Sequence, residues 1–231
     1  MEILQGQLPL QGNYLPKRTK TIQYIVIHYT ANKGDTALNN IKYFANNFVK
    51  ASAHYFVDES KIYSSVPVTD VAYHCGGKTQ SNTGGKYYNQ CTNFNSIGIE
   101  MCLLDKQGNV KDKTIKNTVE LTRYLMEKYN IPAERVIRHW DVTGKMCPLP
   151  FVGDDNELWK SFKRDIQKQN DKSESDEEMV YNNINEVPDF AKPTIQKLCD
   201  KGFLKGYGSG LNLSLDMTRI LVILDRTGVF G

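Results

Sequence analysis

TIQYIVIHYT, residues Thr21 to Thr30, sets the architecture of this chain. Ile22, Tyr24, Val26, Tyr29 and Thr30 are β-branched or aromatic, and YIVI is apolar throughout, so the run reads as a buried strand. Downstream, Asp35 is placed to cap a segment in which Leu38, Ile41, Tyr43, Phe44 and Phe48 recur at helical spacing. HYFVD (His54 to Asp58) and KIYSSV (Lys61 to Val66) are short β-rich runs separated by Glu59 and Ser60, the pattern of a hairpin. From Gly76 to Asn95 the chain is rich in Gly, Ser, Thr, Asn and Gln and reads as a long surface loop.

NSIGIEMCLL (Asn95 to Leu104) is another strand, and Gly98 in its middle signals a close backbone approach. Thr114 to Tyr129 forms an amphipathic helix through Ile115, Val119, Leu121, Leu125 and Met126. RVIRH (Arg135 to His139) is a short strand running into a loop, and Leu158 to Ile166 is a further helix. Strands alternating with helices imply an α/β domain, a central mixed β-sheet flanked by helices, over residues 1–166.

QKQNDKSESDEEM, residues 167–179, lacks apolar periodicity and carries a run of acids, which makes it a solvated linker. Residues 180–231 hold two helical patterns, through Phe190, Ile195 and Leu198 and through Ile220, Leu221, Ile223 and Leu224. This is a small, mostly helical C-terminal domain. About 50 residues make a marginal core, so a partner, such as a second copy of the chain, is expected for it.

The net charge of +3 is too small to argue for nucleic acid. Residues 1–168 carry +6 and the remainder −3, and the basic side suits an anionic polymer such as a cell wall. No stretch approaches the roughly 20 apolar residues that span a bilayer, so no membrane partner is expected. The N-terminus lacks a charged region followed by an apolar one, so synthesis and folding in a bacterial cytosol are expected. Five cysteines form no even framework, and in a reducing compartment an odd thiol raises the question of a metal.

Four histidines are present, His28, His54, His74 and His139. His28 closes the apolar run YIVI, His139 closes RVIR, and Cys147 follows in HWDVTGKMCP. A sheet that brought these three together would offer two imidazoles and a thiolate, a set that suits zinc with a fourth position left for water. Gly144 and Pro148 would let the loop fold Cys147 back towards His139. Spacing alone does not separate this reading from that of satisfied polar residues at strand ends.

VIHYTA at 26–31, SAHYFVD at 52–58, AYHCGG at 72–77, NSIGIEMC at 95–102 and RHWDVTGKMCP at 138–148 occur in the order found in a known family. Together they resemble the type 2 N-acetylmuramoyl-L-alanine amidases, which include endolysins and the peptidoglycan recognition proteins. The resemblance covers about residues 10–165 and is nearest to endolysins of phages that infect clostridia and bacilli. It implies a peptidoglycan hydrolase that cuts the amide between N-acetylmuramic acid and L-alanine, with Zn2+ held by His28, His139 and Cys147. It further implies Glu100 as general base and Lys145 as a supporting cation. It places His74, and either His54 or Tyr55, against substrate.

Glu100 has a competing reading as half of a buried ion pair, since an unpartnered carboxylate in an apolar strand costs several kcal/mol. A non-catalytic muropeptide-binding module on the same fold is the alternative function. The presence of both Cys147 and Glu100 favours hydrolysis. VPDFAKPTIQKLCDKGFLKGYGSG (Val187 to Gly210) resembles S-layer-homology half-repeats and the small C-terminal modules of clostridial-type endolysins. That likeness implies attachment to the wall or its secondary polymers, with dimerisation as the other use.

Overall fold

The structure is a computed structural model that describes residues 1–80, 84–168, 180–206 and 210–230. The chain divides into two compact units, Met1–Gln169 and Asn170–Gly231. Most of the expected linker, residues 169–179, lies outside the described residues. No described helix is long and apolar enough to cross a membrane.

The larger unit runs β1 (Ile3–Gln5), β2 (Tyr14–Leu15), β3 (Tyr24–Tyr29), α1 (Ala37–Asn46), β4 (Tyr55–Val57), β5 (Ile62–Ser64) and β6 (Val71–Ala72). It continues with β7 (Ser96–Met101), α2 (Asp112–Tyr129), β8 (Val136–Arg138), α3 (His139–Thr143) and α4 (Glu157–Gln167). Six described strands form a mixed, mostly parallel sheet in the order β1-β5-β4-β7-β3-β8, and β2 pairs with β6 apart from it. β4 and β5 are the antiparallel pair, the expected hairpin. Asp58 closes its turn, accepting from the backbone N–H of Ser60 and Lys61 at 2.7 Å each.

Alternation along the strands sorts the residues onto two faces. Ile25 and Ile27 of β3, Ile97, Ile99 and Met101 of β7, and Tyr55 and Val57 of β4 enter the principal core, where α2 and α4 add Leu121, Leu125, Trp159 and Phe162. Burying each such side chain stabilises by about 1.5–3 kcal/mol. The opposite face receives Tyr24, Val26 and His28 from β3 and Ser96, Gly98 and Glu100 from β7. Two small apolar clusters flank it, one with Cys75, Cys91, Ile137 and Val142, the other under α1 with Ile41, Phe56 and Cys102. The polar side chains of the two central strands therefore collect on one face.

Several boundaries differ from the sequence expectation. The first expected strand narrows to Tyr24–Tyr29. Thr36, not Asp35, caps α1, its hydroxyl accepting from Asn39 N–H at 3.2 Å, while Phe48 falls beyond the helix and is 60 % exposed. His139 opens a short helix instead of ending a strand. β1, which the sequence reading omits, adds an edge to β5 in parallel register from Ile3↔Ile62.

The second unit contains α5 (Lys192–Asp200) and α6 (Leu215–Arg226), with its own core of Tyr181, Val187, Ala191, Ile195, Leu213 and Val222. Lys197 of α5 pairs with Asp225 of α6 at 2.8 Å. Phe190 lies before α5 and is exposed, as are Ile220 and Ile223, so the buried stripe of α6 runs through Thr218 and Val222 instead.

Candidate metal centre

His28 and Glu100 sit at paired positions on the adjacent parallel strands β3 and β7. Their side chains emerge on the same face, with Nδ1 of His28 4.0 Å from a Glu100 carboxylate oxygen. His139 begins α3 at the end of β8, the strand on the other side of β3, and its ring centroid lies 4.7 Å from that of His28. Gly144, in the left-handed conformation at φ +79°, ends α3, and the returning loop puts the Cys147 carbonyl 2.9 Å from Trp140 N–H. Cys147 Sγ comes to 3.8 Å from His28 Nδ1. One donor atom each from His28, His139 and Cys147 thus fits within a span of 4.8 Å, all three residues buried.

The chemistry of this set fits a zinc ion. Burial, and then the neighbouring His139, holds His28 well below the ordinary histidine range, and burial followed by Lys145 takes His139 down to about 3. Both rings are therefore uncharged, the form that offers a lone pair to a metal. His139 Nδ1 is buried without a hydrogen-bond partner. Burial, then the Glu100 carboxylate, pushes the Cys147 thiol up to about 12, and a dication is what would draw that proton off.

Glu100 differs from a structural ion-pair residue. Its Oε2 is out of reach of water and has no partner. Burial raises its carboxyl to about 8, opposed by the positive charge of Lys145. Glu100 and Lys145 line one cavity of about 590 Å³ together with Tyr29, Thr30, Asp35 and Tyr43. Lys145 is exposed, and its charge reaches the carboxylate across this groove.

Of the remaining sequence-derived site residues, Tyr55 and His54 lie away from the groove and His74 lies against His28. Tyr55 is in the principal core, on the opposite face of the sheet. His54 is fully enclosed: its Nδ1 accepts from Gly98 N–H at 2.9 Å and its Nε2 lies 2.8 Å from Arg18 Nη2. Neither forms part of the groove lining. His74 is half-buried, with its Nδ1 3.0 Å from His28 Nε2. Sequence reasoning missed Arg138 and Asp141, which fasten the loop carrying His139 and Cys147. Arg138 is 3 % exposed, donates to Asp141 at 2.9 and 2.8 Å and to Gly153 O at 2.9 Å, and stacks over Trp140 and Trp159. The i, i+3 spacing within RHWD next to a candidate ligand was the available signal.

The family profile described as N-acetylmuramoyl-L-alanine amidase matches residues 18–150. The chain is 36% identical over 142 residues to N-acetylmuramoyl-L-alanine amidase CwlL of Bacillus licheniformis, an alignment covering 59% of this chain and 39% of that protein. It is 36% identical over 153 residues to N-acetylmuramoyl-L-alanine amidase BlyA of Bacillus subtilis, covering 63% of this chain and 41% of that one. The chain thus spans about two fifths of the length of these curated relatives. Among solved structures it is similar to the catalytic domain of XlyA, at 30% identity and a TM-score of 0.58 over 72% of this chain and 99% of that one. It is likewise similar to a mutant endolysin from Bacillus subtilis, at 29% identity and a TM-score of 0.58, covering 72% and 99%.

Proposed function

The chain belongs to the N-acetylmuramoyl-L-alanine amidase family, and from that premise we propose that it is a zinc-dependent endolysin hydrolysing the amide between N-acetylmuramic acid and the L-alanine of the peptide stem. The observation that carries this reading is the gathering of His28, His139 and Cys147 within 4.8 Å, beside a carboxylate with an unpartnered oxygen.

His28, His139 and Cys147 would hold the zinc, whose chemistry there would be that of a Lewis acid. Glu100 accepts a proton from the attacking water and delivers it to the departing amine of L-alanine. Its buried, unpartnered Oε2 leaves the carboxylate free of the competing ion pair that a structural role would require. Lys145, on the rim of the same groove, stabilises the negative charge that develops on the carbonyl oxygen. The Arg138–Asp141 pair holds the loop that presents His139, Lys145 and Cys147, so the site needs little rearrangement on binding.

The second unit serves attachment to the wall or to its secondary polymers, a reading supported by the S-layer-like pattern of Val187 to Gly210. Self-association through that unit is compatible with wall binding and would add avidity.

Metal analysis of the purified chain tests the site. One zinc per chain, lost in both His139→Ala and Cys147→Ser together with hydrolysis, is the expected result. Hydrolysis that persists in the zinc-free protein would overturn the reading.

A further inference from the structure

A histidine that binds a metal through one ring nitrogen almost always donates its other N–H to a fixed acceptor, which sets its tautomer and orientation. Here the group at the far nitrogen of His28 is neither a carboxylate nor a carbonyl. It is Nδ1 of His74, at 3.0 Å. An imidazole nitrogen can accept only if its own proton sits on the other nitrogen, so the arrangement requires that something fix the tautomer of His74.

Ser96 is placed to do that. Its hydroxyl donates to the Thr92 carbonyl at 2.6 Å, and a carbonyl can only accept, so the serine proton is committed there. The Ser96 oxygen is then left with lone pairs, and it lies 3.1 Å from His74 Nε2. His74 Nε2 must be the donor to Ser96. In the uncharged ring this leaves His74 Nδ1 bare, to accept from Nε2–H of His28. His28 in turn presents a bare Nδ1, the atom that faces Cys147 Sγ at 3.8 Å and Glu100 Oε1 at 4.0 Å.

The seat of His74 is shaped for this role. A Cβ on Gly98 would stand 2.5 Å from His74 Cγ and 2.7 Å from its Nδ1, so only glycine leaves room for the ring. Backbone N–H groups of His74 and Cys75 both donate to Asn93 Oδ1, at 3.0 and 2.8 Å, fixing the chain from which the ring projects. The His28 and His74 rings meet edge to face at an interplanar angle of 86°.

We infer that His74 is a positioning residue, locked by Ser96 in the tautomer that makes His28 a zinc ligand through Nδ1. This rests on the reading of His28 as a ligand and replaces the expected contact of His74 with substrate.

Zinc affinity, measured by competition with a chromogenic chelator, tests the chain of bonds independently of hydrolysis. His74→Ala should weaken zinc binding about 10–100-fold, the usual cost of losing such a partner. His74→Asn, whose side-chain oxygen can occupy the place of Nδ1, should recover most of the loss. Ser96→Ala should weaken binding about 10-fold in the otherwise unaltered protein and not at all when combined with His74→Ala. The cobalt-substituted protein should show a changed visible absorption spectrum in His74→Ala and a near-normal one in His74→Asn. Unchanged affinity in folded His74→Ala, with a raised KM, would make His74 a substrate contact and overturn the inference. Equal effects of Ser96→Ala in both backgrounds would overturn the tautomer lock. His28→Ala separates the two levels: zinc binding unaffected by that substitution would remove the metal-site reading, and this inference with it.

Discussion

His28 and Glu100 face each other across neighbouring parallel strands, Nδ1 to Oε1 at 4.0 Å, on the face of the sheet opposite its principal core. A single register step in β3 or β7 would turn one of them into that core. Register is held by the apolar pairs that precede them on the core face, Ile25 against Ile97 and Ile27 against Ile99. The packing that makes the fold therefore also sets the distance between a candidate ligand and an acid.

Glu100→Gln removes the proposed proton acceptor while keeping size and shape. Hydrolysis of peptidoglycan should fall by at least about 10²-fold with zinc content unchanged. Thermal stability should hold or rise slightly, because a carboxyl raised to about 8 by burial is no longer desolvated. Lys145→Ala should lower kcat by about 10²–10³-fold, again without loss of metal. Parallel assays of turnover, zinc content and melting check both variants.

Gly98→Ala should be disproportionately harmful for the addition of one methyl group. The new Cβ would stand 2.5 Å from His74 Cγ, so the ring or the strand must move, at a cost of about 1–3 kcal/mol. Chemical denaturation should show that loss, and the zinc titration should weaken in step with His74→Ala. An alanine variant with normal stability and affinity would contradict the seating of His74.

Asp141→Ala leaves the Arg138 guanidinium, 3 % exposed, without its carboxylate. Carbonyl contacts of Arg138 to Phe151 and Gly153 remain, so the expected destabilisation is about 3 kcal/mol, at the low end for a broken buried pair. Since this pair secures the segment from His139 to Cys147, zinc affinity should fall as well. Arg138 and Asp141 replaced together by apolar residues should recover much of the stability.

A chain ending at residue 168 should fold by itself, because the described core of the larger unit draws on no residue beyond Ile166. It should cleave soluble muropeptides as well as the full chain does. Sedimentation with purified walls should be weaker for it, and equal sedimentation would remove the attachment role of residues 180–231.

Much of the site was legible in the sequence, for a physical reason. Period-two alternation in β3 and β7 sends His28 and Glu100 to one face while their neighbours are buried on the other; His28 is legible as the polar residue closing an apolar run, and Glu100 through the family resemblance of NSIGIEMC. Ser96 lies on that same alternation with Gly98 and Glu100, yet a serine at a strand start carries no signal until its partner is known. His74 was found as a motif residue, but its contact with His28 joins residues 46 apart in sequence, which no spacing rule reaches. The His54–Tyr55 pair offers either residue to a groove in the sequence, and the register of β4 against β7 places Tyr55 opposite Ile99, in the core. β1 was missed because three residues with one exposed member give no periodicity.

Product analysis on purified Gram-positive peptidoglycan, with and without a zinc chelator, tests the central claim most directly. New N-terminal alanine should appear without new reducing sugar, vanish on chelation and return when zinc is restored. New reducing ends, or alanine release indifferent to chelation, would contradict it.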